Sequence, residues 1–599
     1  MMICKSRIVQ LLSARVDVAL LLALLLGVFI QGCLFLVGIA CSPWPMWISF
    51  SAVAIILAIS DRRKALAFCA LVLACLFLTA FSYSYTGADT MDYHFPMQDL
   101  LRRGWNPVRV ATIEDFHQLL GGLTVSEIHT LFLPRLNALC GALVGLSSGL
   151  FVADAFLNYV LVLVLLATAH DFAHRVWHQG RFMSMLFAFS LTFTTKLAAF
   201  LYGYVDYITY AGIMIMLMSA ALYFLERKVF DLLLLSVAIV VSTLAKTTGL
   251  VVSVLLCACM LPFLWKDRRC WCFWAASAFY VVIVGCSPLI TSWINYGCPL
   301  YPTMSWSLSH PVIDITADFT GNADALRMGY VARSLYAWVS PAATVKLCSL
   351  VYDNPNFNPV FTVFGGVDGF GSGFRVVLLA SVIALVASKK NIVTAMCGFI
   401  FLTTLVTPLK YVGFSRYFPQ IWAIPALALF NLAAFSCCNK FFGNHCVKSL
   451  FKISCIALPV MVAAFCALRT LAFGGRCLAI EASRQRALAE LKTISGWWRH
   501  DGEQKRTYTL ARRMGVAGID CVVGSEGEPG LPSYSYDEQY MWASVEKAGD
   551  AAEAVHNEFF IVNSAGQILR FPWRKAFSSC PSILWYGFSK TGGDTWTRR

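Results

Sequence analysis

Two carboxylates and an imidazole stand close together directly after a long hydrophobic run. Asp89, Asp92 and His94 lie within six residues, and the hydrophobic run 65–85 precedes them. Charged side chains at a membrane are energetically costly and usually have a function. A carboxylate can take a proton from a hydroxyl group or stabilise positive charge on a reacting carbon. We therefore predict that Asp89 is the reactive carboxylate of a catalytic loop, with Asp92 or His94 orienting it, binding the acceptor or ligating a divalent metal ion.

Each of these three residues also has a purely structural interpretation. Asp89 could cap the short helix that follows it. Asp92 could be an ordinary solvated loop residue, and His94, next to Phe95 and Pro96, could be a packed and hydrogen-bonded histidine. No cofactor is predicted apart from the metal ion that Asp89, Asp92 and His94 could hold.

Three basic residues near the ends of other hydrophobic runs could bind an anionic group at the same membrane face. They are Lys196, Lys246 and Arg416. Ammonium and guanidinium groups bind phosphate, and the guanidinium fork has the better geometry. We predict that they bind the phosphate of a lipid-linked substrate. The alternative for the lysines is that they anchor helices at the interface.

Three uncharged or acidic residues complete the predicted site. Asp206 begins a hydrophobic run, Asn295 follows one, and Tyr417 lies next to Arg416. We predict that Asp206, Asn295 and Tyr417 contact the substrate. Asp206 could instead pair with a lysine of a neighbouring helix.

The composition is that of a membrane protein. The 599-residue chain is 58% hydrophobic and only 13% charged, whereas soluble proteins are about 25% charged. Its apolar stretches are continuous, which favours helices. The net charge of +14 comes from short basic clusters between apolar runs, so the positive-inside rule explains it better than a nucleic-acid partner. No cysteine pair stands at zinc-site spacing from a histidine.

Thirteen hydrophobic segments predict membrane-spanning helices. They are approximately 18–40, 46–60, 65–85, 152–170, 182–200, 206–225, 230–245, 248–265, 271–293, 374–388, 391–409, 417–437 and 449–472. Leu131–Leu150 is also apolar but is interrupted by Pro134 and several glycines. We predict that it lies in the interface or dips into the membrane without crossing.

The basic clusters then fall on one side, which we assign to the cytoplasm together with the N-terminus. They are Arg62–Lys64, Arg175 with Arg181, Arg227 with Lys228, Lys266 with Arg268 and Arg269, Lys389 with Lys390, and Lys440 with Lys448. This topology places loops of about 86–151 and 294–373 outside the cytoplasm.

The residues after the last hydrophobic segment form a separate region, which the same topology places outside. Residues 473–599 carry 30 of the 80 charged residues, so we predict a small soluble α/β domain there, separate from the membrane domain 1–472. The segments 559–562 and 568–571 predict a β-hairpin. Cys521 and Cys580 could form a disulfide in an oxidising compartment or remain thiols.

Several of these residues also match a known pattern. Asp89 followed by Tyr93–Pro96 resembles the D-x-x-x-Y-H-hydrophobic-P signature of bacterial GT-C glycosyltransferases, polytopic enzymes related to lipid A aminoarabinose transferase and protein O-mannosyltransferases. Four further pieces match in order, and the resemblance covers about residues 65–440. These pieces are Gly203–Asp206, Lys246–Gly249, Gly297–Pro302 and Arg416–Pro419.

The resemblance implies a polyprenyl-phosphate-linked sugar as donor, transfer outside the cytoplasm with inversion at the anomeric carbon, and Asp89 as the catalytic carboxylate. It also implies interfacial helices in the outer loops. The sequence departs from the pattern at Ala88, where many relatives have tryptophan.

The favoured hypothesis is therefore a glycosyltransferase of a bacterial inner membrane that modifies an envelope glycan, lipid or protein. Its partners are the polyprenyl-phosphate sugar and membrane lipid. The sequence specifies neither the sugar nor an oligomeric state. The first alternative is a transporter or flippase of lipid-linked sugars, which would favour midplane charges and inverted repeats. The second is a non-catalytic envelope assembly or sensor protein that acts through residues 473–599.

Overall fold

A computed structural model describes most of the helical part of the chain and six short strands beyond it. The described ranges are 13–82, 93–120, 125, 127–132, 134–150, 152–193, 205–299, 301, 305, 372–388, 391–406, 418–435, 447–464, 466–468, 498–501, 521–524, 535–537, 542–544, 558–562 and 568–572. Up to residue 468 the described chain is a helical polytopic membrane protein.

The helices are numbered here in chain order. They are α1 (Val16–Leu36), α2 (Trp44–Ser60), α3 (Arg62–Ser82), α4 (Phe95–Arg102), α5 (Ile113–Leu120), α6 (Glu127–Phe132), α7 (Leu136–Ser148), α8 (Ala155–Trp177), α9 (Arg181–Phe193), α10 (Val205–Glu226), α11 (Val229–Ala245), α12 (Thr247–Leu264), α13 (Arg268–Tyr296), α14 (Ser372–Ala387), α15 (Ile392–Val406), α16 (Ile424–Phe435) and α17 (Val447–Leu468). A short 3₁₀ helix, Pro419–Ala423, precedes α16.

Each of the thirteen predicted hydrophobic segments coincides with one of these helices. Six are long and apolar enough to cross a membrane, namely α1, α3, α8, α10, α12 and α17. Helix α13 is a seventh if its two parts, bent by 63° near Pro288, form one span. The other apolar helices have 17 residues or fewer, and a crossing needs about 20. The count of thirteen crossings therefore stays a prediction.

Ion pairs between helix termini define two ends of the bundle. At what we call the lower end, Arg175 near the end of α8 pairs with Glu226 at the end of α10 and with Asp231 at the start of α11. Helices α8 and α10 therefore run in the same direction, and α11 runs opposite to them. The upper end accordingly contains the starts of α8 and α10 and the junction between α11 and α12, where Lys246 pairs with Asp206.

Basic residues from several of the predicted clusters meet at the lower end. Lys228 pairs with Glu226 beside Arg175. Lys64 donates to the Ser13 carbonyl, next to the N-terminus of α1. The compartment that this end faces stays a prediction, and the clusters at 389–390 and 440 lie outside the described residues.

The segment between α3 and α8 folds against the upper end. The Asn106 amide donates to the Phe35 carbonyl at the end of α1, at 3.0 Å. The segment Leu131–Leu150, predicted as one helix, is divided between two: α6 ends at Phe132 and α7 begins at Leu136. Pro134 disfavours helix just before it. Helix α7 has 13 residues and is buried over most of its length, so it is too short to cross a bilayer.

Helix α10 is the centre of the bundle, and 89% of its most apolar 18-residue stretch is buried. It packs most extensively against α11, and small residues permit the approach. A Cβ atom at Gly212 would lie 2.5 Å from the Ser242 hydroxyl, and one at Gly249 of α12 would lie 2.0 Å from the Ser242 carbonyl oxygen. The three helices α10, α11 and α12 are therefore held together tightly near the upper end.

Six strands are described beyond the helices, in three pairs. β1 (Trp498–Asp501) pairs in parallel with β2 (Cys521–Gly524), and β3 (Ser535–Asp537) pairs antiparallel with β4 (Trp542–Ser544). β5 (Glu558–Val562) pairs antiparallel with β6 (Ile568–Pro572). This last pair is the hairpin that the sequence predicts. The separate soluble α/β domain stays a prediction.

Candidate functional site

An ion pair between two distant parts of the sequence lies at the upper end. Asp206 stands in the first turn of α10, and Lys246 is the extended residue between α11 and α12. The Lys246 ammonium lies 2.5 Å from the Asp206 carboxylate. The Asp206 side chain is 3% exposed and the Lys246 side chain 17%. A carboxylate in the first turn is also favoured by the helix dipole. The structural alternative for Asp206, pairing with a neighbouring lysine, is therefore confirmed.

Gly249 packs closely at the junction that carries Lys246. The sequence Lys246–Gly249 turns the chain from α11 into α12, and Gly249 lies against the Ser242 carbonyl. A side chain at position 249 would push the start of α12 away from α11. Because Lys246 stands at that junction, the same displacement would move its ammonium relative to α10.

Three buried polar atoms near Asp206 and Lys246 in the sequence, or in a helix that packs against α10, lack a hydrogen-bond partner in the described part of the chain. The Tyr207 hydroxyl and the Thr248 hydroxyl are buried and have no hydrogen-bond partner in the described part of the chain. The Gln420 side-chain oxygen, in the 3₁₀ helix that packs against α10, has none either. Buried polar groups in proteins are nearly always satisfied. These three unsatisfied atoms are therefore candidates for contact with a polar ligand.

His94 is at the start of α4 and is buried among aromatic rings. Its ring centroid is 4.3 Å from that of Tyr93, which in turn stacks on His129 of α6 at 5.0 Å. This placement agrees with a packed histidine and leaves the predicted chemical role untested. Asp89 and Asp92 lie outside the described residues. Among the described residues no group of three metal-ligating side chains is found, so a site formed with Asp89 and Asp92 stays a prediction.

Asp154, which sequence reasoning missed, is a buried carboxylate at the same end. Asp154 directly precedes α8 and is only 2% exposed. Its Oδ2 atom has no hydrogen-bond partner in the described part of the chain. Gly141 of α7 and Gln98 of α4 pack beside it, since a Cβ atom at Gly141 would meet both.

The environment of Asp154 opposes its ionisation. Burial raises the pKa of its carboxyl to about 7, although the backbone N–H groups of Asp154 and Ala155 lower the pKa in part. A buried acid with a perturbed pKa is a candidate functional residue. The signal in the sequence was a single acid next to the long apolar run 155–169.

Asn295 lies in the last turn of α13, which ends at Tyr296, so the second loop begins at Gly297 rather than at residue 294 as predicted. The helix continues to Tyr296 because Gly297, at φ 70°, ends it in a left-handed conformation. Tyr296 stacks on Tyr301 at 4.2 Å, and Phe132 of α6 packs edge-on against both. This aromatic cluster fixes the end of α13 to the first-loop helices at the upper end.

The structure thus brings Asp206 and Lys246 into contact and places His94 and Asn295 at the same end of the bundle. Three other predicted residues, Lys196, Arg416 and Tyr417, lie outside the described residues.

The lower end contains a second charged cluster, centred on Arg175. The sequence did not indicate that its members contact one another. Arg175 contacts Asp231 at 2.6 Å, Glu226 at 2.8 Å and Asp171 at 3.1 Å. Asp231 is buried, so Arg175 supplies the counter-charge that makes this burial tolerable. This cluster ties α8, α10 and α11 together.

Comparison with known proteins gives no match. No family model, no curated protein and no solved structure matches this chain.

Proposed function

We propose that the protein is an inverting glycosyltransferase of the GT-C type, transferring a sugar from a polyprenyl-phosphate donor to an acceptor outside the cytoplasm. In this proposal it resides in a bacterial inner membrane, crosses it thirteen times, and has its N-terminus and lower end in the cytoplasm. The upper end is then the catalytic face, with residues 473–599 on the same side.

One observation supports the proposal above the others: Asp206 and Lys246, from separate helices, meet at the end where the first-loop helices pack. Asp206 is nearly inaccessible and Lys246 is partly exposed. The carboxylate therefore positions the ammonium, and the ammonium offers positive charge toward the end of the bundle. A phosphate at the membrane surface is an anion that such a group binds.

The proposed reaction is a single displacement. Asp89 takes the proton of the acceptor hydroxyl, whose oxygen forms a bond to the anomeric carbon as the bond from that carbon to the phosphate oxygen breaks. Lys246, with Lys196 and Arg416, stabilises the negative charge left on the polyprenyl phosphate. Asp206 holds Lys246 in place, and Asn295 and Tyr417 contact the sugar or acceptor.

The test is sugar transfer by the purified full-length protein in liposomes containing a labelled polyprenyl-phosphate sugar and envelope extract as acceptor source. Asp89→Asn should lower kcat by at least about a hundredfold, as expected for a lost general base. Asp115→Asn is the matched control, because Asp115 is an exposed carboxylate of the same loop. It should leave transfer unchanged.

Two outcomes would favour the alternatives. Translocation of the intact donor without release of polyprenyl phosphate would indicate a transporter. Absence of any transfer, together with an envelope defect reproduced by deleting 473–599 alone, would indicate an assembly protein. Full transfer by a correctly inserted Asp89→Asn protein would reject the catalytic assignment.

A further inference from the structure

A cavity of about 700 Å³ opens at the lower end, on the opposite side of the bundle from the proposed catalytic face. It lies between the start of α1, one face of α8, the start of α9 and the start of α11. Arg15 forms part of its wall and donates to the Thr168 hydroxyl and the Val164 carbonyl, both at 3.1 Å. The cavity is therefore bounded by helices that are bonded to one another.

The wall formed by α8 changes character along the helix. The lining residues follow helical spacing on one face and are Leu163, Leu166, Ala167, His170, Asp171 and Arg175. The flanking positions of α8 are largely buried, so this face is the accessible one. It is apolar toward the middle of the bundle and ionisable toward the lower end. This is the order of chemical groups along a phospholipid, from acyl chain to headgroup.

The cavity lining carries equal numbers of acidic and basic side chains. Three acids, Asp17, Asp171 and Asp231, stand against three bases, Arg15, Arg175 and Lys228. A balanced rim gives no net attraction for an anionic headgroup, whereas it can complement a headgroup that carries both signs.

The two most exposed charged side chains of the cavity lining are one base and one acid. The Lys228 side chain is 58% exposed and the Asp171 side chain 37%. The other lining acids and bases are less accessible. Lys228 also pairs with Glu226 at 2.6 Å and Asp171 with Arg175 at 3.1 Å, but both side chains keep a solvent-facing side. Lys228 can approach a phosphate, and Asp171 can accept from a primary ammonium group.

We propose that this cavity binds a zwitterionic phospholipid with a primary ammonium headgroup, of the phosphatidylethanolamine class. The phosphate lies against Lys228, the ammonium against Asp171, and one acyl chain along Leu163 and Leu166. Binding ties α1 to α8 and α11, and it does not depend on the proposed glycosyltransferase activity.

The test is native mass spectrometry of the full-length protein in mild detergent. The protein is exchanged against equal concentrations of phosphatidylethanolamine, phosphatidylcholine and phosphatidylglycerol, and separately against glycerophosphoethanolamine. We expect one phosphatidylethanolamine retained at least fivefold over the other two lipids. Retention of glycerophosphoethanolamine to the same degree would show that the headgroup alone is the ligand and would overturn the lipid assignment.

Two variants of different chemistry keep the test independent of folding. Lys228→Gln removes the phosphate contact at an exposed position, and Leu166→Trp fills the apolar wall. Each should lower retention at least fivefold while the thermal unfolding profile stays cooperative.

The matched controls are Lys266→Gln, also exposed and near the lower end, and Val254→Trp on the exposed face of α12. Neither should change retention. Equal retention of all three lipids, or retention that neither cavity variant changes, would show only unspecific lipid contact and would overturn the proposal.

Discussion

Replacing Asp154 by asparagine should make the stability of the protein less sensitive to pH. In the fold its carboxyl has a pKa of about 7, raised by burial, against an ordinary value of 3.8. Between these two values the folded protein holds a proton that the unfolded chain releases. Stability due to this group is therefore greatest at acid pH and is lost as pH rises toward the folded pKa.

The magnitude follows from the two pKa values. At about 1.36 kcal/mol for each pKa unit, the full loss between acid pH and pH 8 is about 4 kcal/mol, of which about 2.5 kcal/mol falls between pH 5 and pH 8. Asparagine has nearly the same shape and no charge, so Asp154→Asn should not show this loss.

The assay is thermal unfolding of purified protein in detergent from pH 5 to pH 8. The wild-type midpoint should fall relative to Asp154→Asn by several degrees as the pH rises. Asp115→Asn, at an exposed position of the first loop, serves as the control for general charge effects. Parallel pH profiles for wild type and Asp154→Asn would refute the reasoning that burial holds this carboxyl protonated.

Two further substitutions test the packing at the two ends of the bundle. Gly249→Ala should lower the unfolding midpoint by an amount equivalent to about 1–3 kcal/mol, because its Cβ atom would lie 2.0 Å from a backbone oxygen. Gly398→Ala, whose Cβ atom would meet nothing within 4 Å, should be neutral or stabilising, and equal effects of the two would contradict this account. Arg175→Met should cost about 3–5 kcal/mol, because it leaves buried Asp231 without its counter-charge. Adding Asp231→Asn should recover part of that loss in the same unfolding assay, and no recovery would show that the charge on Asp231 is not the cause.

The helices and part of the site could be predicted from the sequence because they depend on local signals. A continuous apolar run must satisfy its backbone within a helix, so each predicted segment coincides with a helix. Asp206 and Lys246 could be placed at one level because each interrupts hydrophobicity where a run begins or ends. Whether they touched could not be decided, since helix rotation is set by packing contacts such as that of Gly249 with Ser242.

The residues that sequence reasoning missed depend on contacts between distant segments. Asp154 looks like an ordinary acid before a helix, and only the packing of α4 and α7 around it makes it buried. Arg175 was assigned to a topological cluster, whereas its partner Asp231 is 56 positions away in sequence. Trp105 is likewise buried through a distant contact, because the Arg135 guanidinium lies over its ring.

The most direct test of the proposed site is the affinity of the purified protein for polyprenyl phosphate, the group left by the donor after transfer. Lys246→Met should weaken binding at least tenfold relative to wild type, and Lys266→Met, exposed near the lower end, should not. Unchanged affinity in a folded Lys246→Met protein would contradict the assignment of the upper end as the phosphate-binding face.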